Sequence, residues 1–323
     1  KMAESPFLSV VIPTHDAPDL LAEALRSLAR QDFHASGAEI IVIDDGSPEF
    51  NPSTWAELAS PFHLVVIRQQ VNRGRATARN QGIRAAMGEI ILFLDGDMTA
   101  TPGFLRAHAD FHRAHPGEVG VGDIRFGPQI PSTSFTRYME SRGAQSYQSG
   151  EKIPFKCFVT GNSSARRELL FDIGLFDEEF HAYGGEDLEL GYRLHRQGAI
   201  FRFAGSALSL HHHLRPLDQT CALMHAYGRR SLPILLGKHP ELALLLRLDF
   251  LDAPRLSIRR WVLQLALGSL VFRGAFAVTR RFQRCVPSLF YSYVWWHSRT
   301  RGFLQARQDD PKDRADAREQ AWC

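Results

Sequence analysis

Asp95 and Asp97 close an apolar run, Ile90-Ile91-Leu92-Phe93-Leu94, and are separated only by Gly96. Two like charges at the tip of a buried strand cost free energy unless something positive sits between them. A divalent metal, an arginine or lysine, or a shared proton would each serve. A hard cation such as Mg²⁺ or Mn²⁺ suits carboxylate oxygens and leaves coordination positions open for phosphates. The plainer alternative has Asp97 capping the next turn and Asp95 facing water.

Three further stretches carry candidate chemistry. In residues 182–198, Gly184-Gly185 runs directly into Glu186 and Asp187 at a helix start. The helix dipole favours negative charge there, which accounts for the pair structurally. A carboxylate on a rigid helix start beside a glycine loop equally suits a general base acting on a hydroxyl. His211, first of the run His211-His212-His213, follows a short strand and would complete a metal site begun by Asp97; the alternative is a surface histidine run. Asn72-Arg73-Gly74-Arg75 lies just before a helix, where glycine and arginines suit an anionic ligand, or form a solvated basic loop.

The elements that must position these residues alternate between strand and helix. Ile40–Ile43, Leu64–Ile67 and the run into Asp95 are continuously apolar, and Leu8–Ile12 is interrupted only by Ser9 before Pro13. Helical spacing of Leu21, Ala24, Leu25 and Leu28 predicts a helix over about 18–30, capped by Asp16, and a second helix covers about 75–87. Such a pattern implies a largely parallel sheet covered on both faces, with ligands bound beyond the carboxyl ends of the strands. The clusters Thr14-His15-Asp16, Asp44-Asp45 and Asp95-Gly96-Asp97 then share one edge. Residues 116–165 have weak periodicity and are expected to be loops with some mixed-direction strands. A helix is expected over 187–197, ended by Gly198, then two short strands near 200–203 and 207–210, and helices from Leu217 onward.

Composition narrows the function class. The chain has 323 residues, 44% hydrophobic and 23% charged, with net charge +3, so the total charge gives no nucleic-acid signal. Cys157, Cys221, Cys285 and Cys323 are widely spaced, contain no Cys-x-x-Cys pair, and read as reduced thiols of a cytoplasmic protein. Residues 1–6 read as an N-terminal tail without a secretory signal. The turn Pro13-Thr14-His15-Asp16-Ala17 has no glycine for a dinucleotide pyrophosphate, which counts against a nicotinamide-dependent oxidoreductase. Between Ala253 and Gln308 there are ten arginines and no Asp, Glu or Lys, interleaved with Leu, Phe and Trp. Basic helices of that kind suit an anionic membrane surface; a helical cap on the main domain or a homodimer interface is the competing reading. Nucleic acid is the weaker partner, because no binding module is matched.

The order of these motifs over residues 7–214 resembles the inverting family-2 glycosyltransferases of the GT-A fold, through SVVIPTHD, IIVIDDGS, NRGRATARNQG, GEIILFLDGD, FVTGNSSARRELLFDIGLFDEEF and YGGEDLELGYRLHRQG. The last two blocks are most similar to chondroitin-polymerase-type and Gly-Gly-Glu-Asp galactosyltransferase-type domains. The resemblance implies an α/β fold with a Rossmann-like mixed sheet; beyond it the chain reads as a helical C-terminal region over 215–307 and a charged, disordered tail over 308–323. The resemblance also implies a UDP-sugar donor, Mn²⁺ or Mg²⁺, and a glycan, lipid-linked or other hydroxyl acceptor, with the enzyme cytoplasmic or peripheral at the inner face of the membrane. Pro13, Thr14, Asp16, Asp44 and Asp45 would hold base and ribose; Asn72, Arg75 and Arg79 would lie near base and diphosphate; Asp95 and Gly96 near ribose or metal. Asp97 and His211 would bind the metal with Asp95, and His212 and His213 are register alternatives to His211. Gly161 and Asn162 would line the donor sugar. Asp187 would be the general base and Glu186 would orient acceptor or sugar, next to Gly185. Tyr183 stands where this branch often has Trp, and Asp16 where it often has Asn. A catalytically silent nucleotide-sugar-binding or membrane scaffold is the alternative function.

Overall fold

The computed structural model describes residues 5–249, 258–282 and 285–309. Arg255, Arg284, Cys323, the side chains of Arg259 and Arg260, and the expected tail from residue 310 lie outside the described residues. The apolar runs become β1 (Leu8–Thr14), β2 (Ala38–Asp44), β3 (His63–Arg68) and β4 (Ile90–Leu94), paired in parallel in the order β3-β2-β1-β4. Strands without alternation are buried on both faces, and the side chains divide accordingly. Val10, Ile12, Ile40, Val42, Leu92 and Leu94 enter one core, and Val11, Ile41, Ile43, Ile91 and Phe93 the other.

The sheet continues through β5 (Met98–Ala100), β6 (Val119–Phe126), β7 (Lys152–Ile153), β8 (Asn162–Arg166) and β9 (Phe201–His211), giving nine strands among the described residues. β8 runs antiparallel to β4 with Leu94 opposite Asn162, so the start of β8 lies at the edge where β1, β2 and β4 end. β9 is antiparallel to β5 with His211 opposite Met98, which returns the chain to Asp97. The two short strands expected over 200–210 are one strand. Its pairing with β6 slips between Gly122–Ala204 and Asp123–Leu208, so Gly205, Ser206 and Ala207 form an irregularity within the strand and not a break between two strands. Residues 116–165, expected to be mostly loop, contribute β6, β7, the start of β8 and a helix.

The helices against the sheet are α1 (Pro18–Ala29), α2 (Trp55–Ala59), α3 (Arg75–Ala85) and α4 (Phe104–Ala114), followed by α5 (Ser134–Glu140), α6 (Arg167–Asp172) and α7 (Glu186–Arg196). α1 buries Leu21, Leu25 and Leu28 in the first core, together with Phe104 and Leu105 of α4. The expected Asp16 cap is absent: Ala17 occupies the cap position with no side-chain bond, and Asp16 instead has φ of 50° with its N–H on Ser47 Oγ at 2.8 Å. α3 is polar in sequence yet largely buried. Asn80 bonds Phe176 through both backbone groups and reaches Glu178, while Thr77 also bonds Glu178, so its polar residues pin the 176–178 loop.

The chain divides into two compact units, the sheet unit (through Pro131, with Met139–His181 and Glu186–Leu214) and a helical unit comprising Ser132–Tyr138, Ala182–Gly185 and the chain from Arg215. The helical unit contains α8 (Leu217–Ala226), a π-helical stretch over Tyr227–Ser231, α9 (Leu232–Lys238), α10 (Leu242–Leu245), α11 (Ile258–Ala266), α12 (Ser269–Arg281) and α13 (Ser288–Asp309). Tyr138 stacks on Tyr291 of α13 at 5.3 Å, and Ser134 Oγ lies 2.9 Å from the Tyr291 hydroxyl, which ties the start of α5 into this unit. No helix of the described residues is long and apolar enough to cross a membrane. Cys157, Cys221 and Cys285 are free thiols.

Candidate active site

The strand ends predicted to share an edge do so. β1 and β2 finish with Thr14 opposite Asp44, and the Asp45 N–H donates to Thr14 O at 2.9 Å. Gly96 packs so tightly on this corner that a Cβ there would lie 3.1 Å from Pro13 O. The glycine between the two aspartates is thus what lets the β4 turn approach the β1 turn. Asp44 is buried and accepts from the Ser47 hydroxyl and from Ser47 N at 3.2 Å. Asp45, also buried, accepts from Arg73 N at 2.7 Å and Gly74 N at 2.9 Å. Burial raises the Asp45 pKa, and the two backbone N–H groups oppose the rise. Asp44 and Asp45 therefore shape the 46–47 and 72–74 loops; Asn72 adds a bond from Gly74 N to its own Oδ1 at 3.1 Å. Arg75 is exposed at the start of α3, near enough to Glu186 to favour that group's charge.

One arginine organises the centre. Arg79 is 1% exposed; its Nη2 donates to Asp95 Oδ1 at 2.8 Å, and its Nη1 lies 3.4 Å from Glu186 Oε1 and 4.0 Å from Asp187 Oδ1. Burial works against the guanidinium charge, but Asp95, Asp187 and Glu186 together hold its pKa above the ordinary value. The resemblance implies a position near base and diphosphate for Arg79; in the structure its side chain is buried and ion-paired. Glu186 is buried, and its pKa is raised by burial and then by Asp187, against the pull of Arg79 and Arg75. Its Oε2 has no hydrogen-bond partner among the described residues.

Asp187 is more open, 26% exposed. Thr160 holds it from the start of β8, with Thr160 Oγ1 donating to Oδ1 at 2.7 Å and Thr160 N to Oδ2 at 3.2 Å. Thr160 was not singled out from the sequence, although it adjoins Gly161-Asn162 in the motif. Gly161 is buried where a Cβ would press on Met98 Cε at 2.7 Å. Asn162, expected at the donor sugar, is wholly buried, and its amide bonds Asp123 O at 2.9 Å and Ala207 O at 2.8 Å. Its Oδ1 receives His108 Nε2 at 2.9 Å, so Asn162 is a core residue that joins β8 to β6 and β9.

Asp97 and His211 face each other, Oδ2 to Nε2 at 3.3 Å, each about one-fifth exposed. Of the neighbours of His211, His212 turns to Thr99 Oγ1 at 2.6 Å and to Gln129, while His213 is exposed. Asp97 and His211 offer a carboxylate oxygen and an imidazole nitrogen side by side, a donor set that suits Mn²⁺ or Mg²⁺ with further positions left for phosphate oxygens. His213 N donates to His211 Nδ1 at 3.2 Å, which holds the ring with Nε2 toward Asp97. The expected trio of Asp95, Asp97 and His211 is not formed. Asp95 is engaged by Arg79, and no group of three or more His, Cys, Asp and Glu residues converges among the described residues. Tyr183 and Gly185 lie in the 182–185 segment of the helical unit, where Ser231 Oγ donates to Tyr183 O at 3.3 Å. Asp16 is exposed beyond β1.

The glycosyl transferase family 2 profile matches residues 9–174, more than half of the chain. The chain belongs to glycosyl transferase family 2. A profile described as the N-terminal domain of galactosyltransferase matches residues 141–214. Among curated relatives of this family-2 chain, the uncharacterized glycosyltransferase YfnE of Bacillus subtilis (strain 168) is 29% identical over 63% of this chain and 64% of its own. Chondroitin synthase of Escherichia coli is 29% identical over 63% of this chain and 34% of its own length. Validoxylamine A glucosyltransferase of Streptomyces hygroscopicus subsp. jinggangensis is 32% identical over 60% and 52%. The chain thus spans less than two thirds of each of these relatives. Among solved structures, the mannosyltransferase PcManGT of Pyrobaculum calidifontis in complex with GDP-Man and Mn²⁺ superposes with TM-score 0.60 at 20% identity, over 94% of this chain and 86% of that one. S. aureus TarS 1-349 in complex with UDP superposes with TM-score 0.54 at 18% identity, over 94% and 92%. The sheet unit has the GT-A fold.

Proposed function

We propose that the chain moves a sugar from a UDP-sugar to an acceptor hydroxyl with inversion, with Asp187 as general base and a divalent cation held by Asp97 and His211. The observation that carries this reading is the Arg79 guanidinium, which touches Asp95 on the strand-end side and reaches Asp187 on the helix-start side, so that base and metal-binding turn belong to one site. The TarS complexes with UDP and UDP-GlcNAc, and the PcManGT complex with GDP-Man and Mn²⁺, support a nucleotide-sugar donor and a Mn²⁺-assisted site in chains of this fold. Chondroitin synthase and validoxylamine A glucosyltransferase support a glycan or other polyhydroxyl acceptor.

Thr160 aims the Asp187 carboxylate, which accepts the acceptor's proton as its oxygen attacks the anomeric carbon opposite the diphosphate. Glu186, buried against Arg79, orients the helix start beside the acceptor side of the site. The cation, when bound, neutralises charge that develops on the departing diphosphate. Asp45 and Asp44 hold the loops that would frame the uracil and ribose, alongside Pro13, Thr14, Asp16 and Asn72.

Calorimetric titration of UDP with and without Mn²⁺ tests the site. Mn²⁺ is expected to tighten UDP binding, and Asp97→Ala to remove the gain. Equal affinity in both conditions would overturn the metal role. UDP binding without release of UDP from any of a panel of UDP-sugars plus acceptor glycans would favour the silent-scaffold alternative.

A further inference from the structure

The helical unit carries an apolar surface that no neighbouring element of the described chain covers. On α11 the exposed residues are Ile258, Trp261, Val262 and Leu265, a spacing of three and four that forms one stripe along the helix, with Ile258 84% and Trp261 66% exposed. At the start of α12, Leu270 and Val271 are also exposed, and they line one shallow depression with Trp261 and Leu265, so the two patches are continuous. The opposite sides of these helices are occupied. Phe272 stacks on His297 of α13 at 4.3 Å, and the Tyr293 hydroxyl donates to Ala266 O at 2.6 Å. The outer stripe therefore stays apolar without serving the internal packing of the unit.

The charge beside it has one sign. The exposed positions of α12 continue from Leu270 through Arg273 to Arg280 and Arg281, and Arg281 lies over the ring of exposed Phe282 at 5.8 Å. No Asp, Glu or Lys occurs from Ala253 to Gln308. We propose that the outer faces of α11 and α12 dock on an anionic lipid surface, the apolar stripe entering the acyl boundary and the arginines of α12 meeting lipid phosphates. An apolar stripe bordered by cationic charge, for which no acidic partner is found among the described residues, matches a negatively charged, apolar-cored layer. A second copy is the poorer match, because a two-fold contact sets this patch on itself, arginine against arginine with no acid in the segment to pair them. Helices too short to cross a membrane lie on it rather than through it. The inference is independent of glycosyl transfer.

Sedimentation of the full chain with phosphatidylcholine vesicles, and with vesicles containing about one third phosphatidylglycerol, tests it. The expected result is binding to the anionic vesicles alone, weakened by high salt. Each basic side chain near such a surface is worth about fivefold in partitioning, so Arg273→Gln with Arg280→Gln and Arg281→Gln should lower binding by roughly a hundredfold. Trp261→Ser with Leu265→Ser should abolish it, while leaving the thermal melt unchanged because both side chains are exposed. No sedimentation with anionic vesicles, or undiminished binding by both variants, would overturn the proposal. So would a dimer that Trp261→Ser with Leu265→Ser converts to monomer without any vesicle binding, which would identify a second copy as the occupant.

Discussion

Arg79 Nη2 lies 2.8 Å from Asp95 Oδ1, and this pair answers how two aspartates can end a core strand. The positive partner of Asp95 is a side chain from α3, which leaves Asp97 to pair with His211. Arg79 is buried among three carboxylates, so removing it strands negative charge in a low-dielectric site. Arg79→Met should destabilise the fold by about 3–5 kcal/mol, the usual cost of breaking a buried pair from one side. Arg79→Lys keeps the charge but loses the planar fork, and should recover only part of that. Urea unfolding of both variants checks this; a loss below about 1 kcal/mol for Arg79→Met would assign the cluster a solvated, weakly coupled character.

Thr160 and Asp187 form the second testable unit. Asp187→Asn should lower kcat by roughly 10²–10⁴ while leaving UDP affinity nearly intact, the signature of a lost general base. Thr160→Val keeps the shape and removes one hydrogen bond to a carboxylate. A bond of that kind is worth about 1.5–3 kcal/mol, so kcat should fall by roughly tenfold to a hundredfold. Retained turnover in Asp187→Asn would remove it from the base role.

His211 and His212 separate by what each faces. Only His211 points at Asp97, so His211→Ala should reduce the Mn²⁺-dependent gain in UDP affinity and narrow any preference for Mn²⁺ over Mg²⁺, since the nitrogen donor suits the softer ion. His212→Ala should leave that gain unchanged, because its ring is committed to Thr99 and Gln129. Titrations of UDP with each ion measure both.

Much of this site was legible because parallel strands buried on both faces leave an unambiguous signal. β4 and the Ile40–Ile43 stretch of β2 read as continuous apolar runs and β1 as one broken only by Ser9, and the polar residues that end them had to share an edge. The Glu186–Asp187 helix start and His211 were legible for a similar reason, each being chemistry placed directly at an element boundary. Partners brought by side-chain direction were not. Nothing in the spacing of α3 says that Arg79 turns inward to Asp95 and Asn80 to Phe176 while Arg75 stays exposed. Asn162 reads as a polar residue in a glycine-rich motif, and only the strand order shows it between β4 and β6, where exposure is zero. The expected break near 204–206 is an irregularity inside β9, because a glycine within a strand accommodates a bulge as readily as it ends one.

The network that buries Asn162 predicts how stability depends on pH. Asn162 donates to two carbonyls, so its Oδ1 must accept from His108 Nε2; His108 Nδ1 then accepts from Ser164 Oγ, which in turn accepts from His112 Nε2 at 2.8 Å. Acceptance at His108 Nδ1 requires a neutral ring, and a proton on His112 Nδ1, buried without a partner among the described residues, would be left unpaired. Burial lowers the His108 pKa from 6.5 to about 4, and burial followed by nearby cationic groups lowers that of His112 to about 3. The unfolded chain therefore binds protons that the folded chain does not, so stability rises with pH, is complete above about pH 6.5, and is lost as pH falls toward the folded values. Each histidine contributes a slope of up to about 1.4 kcal/mol per pH unit. Between about pH 5 and pH 6.5, where most carboxylates remain ionised, His112→Gln keeps a donor for Ser164 and should remove one of these two slopes. Denaturant unfolding across that window measures it, and a wild-type stability that stays flat down to about pH 5 would mean that the buried network tolerates charge.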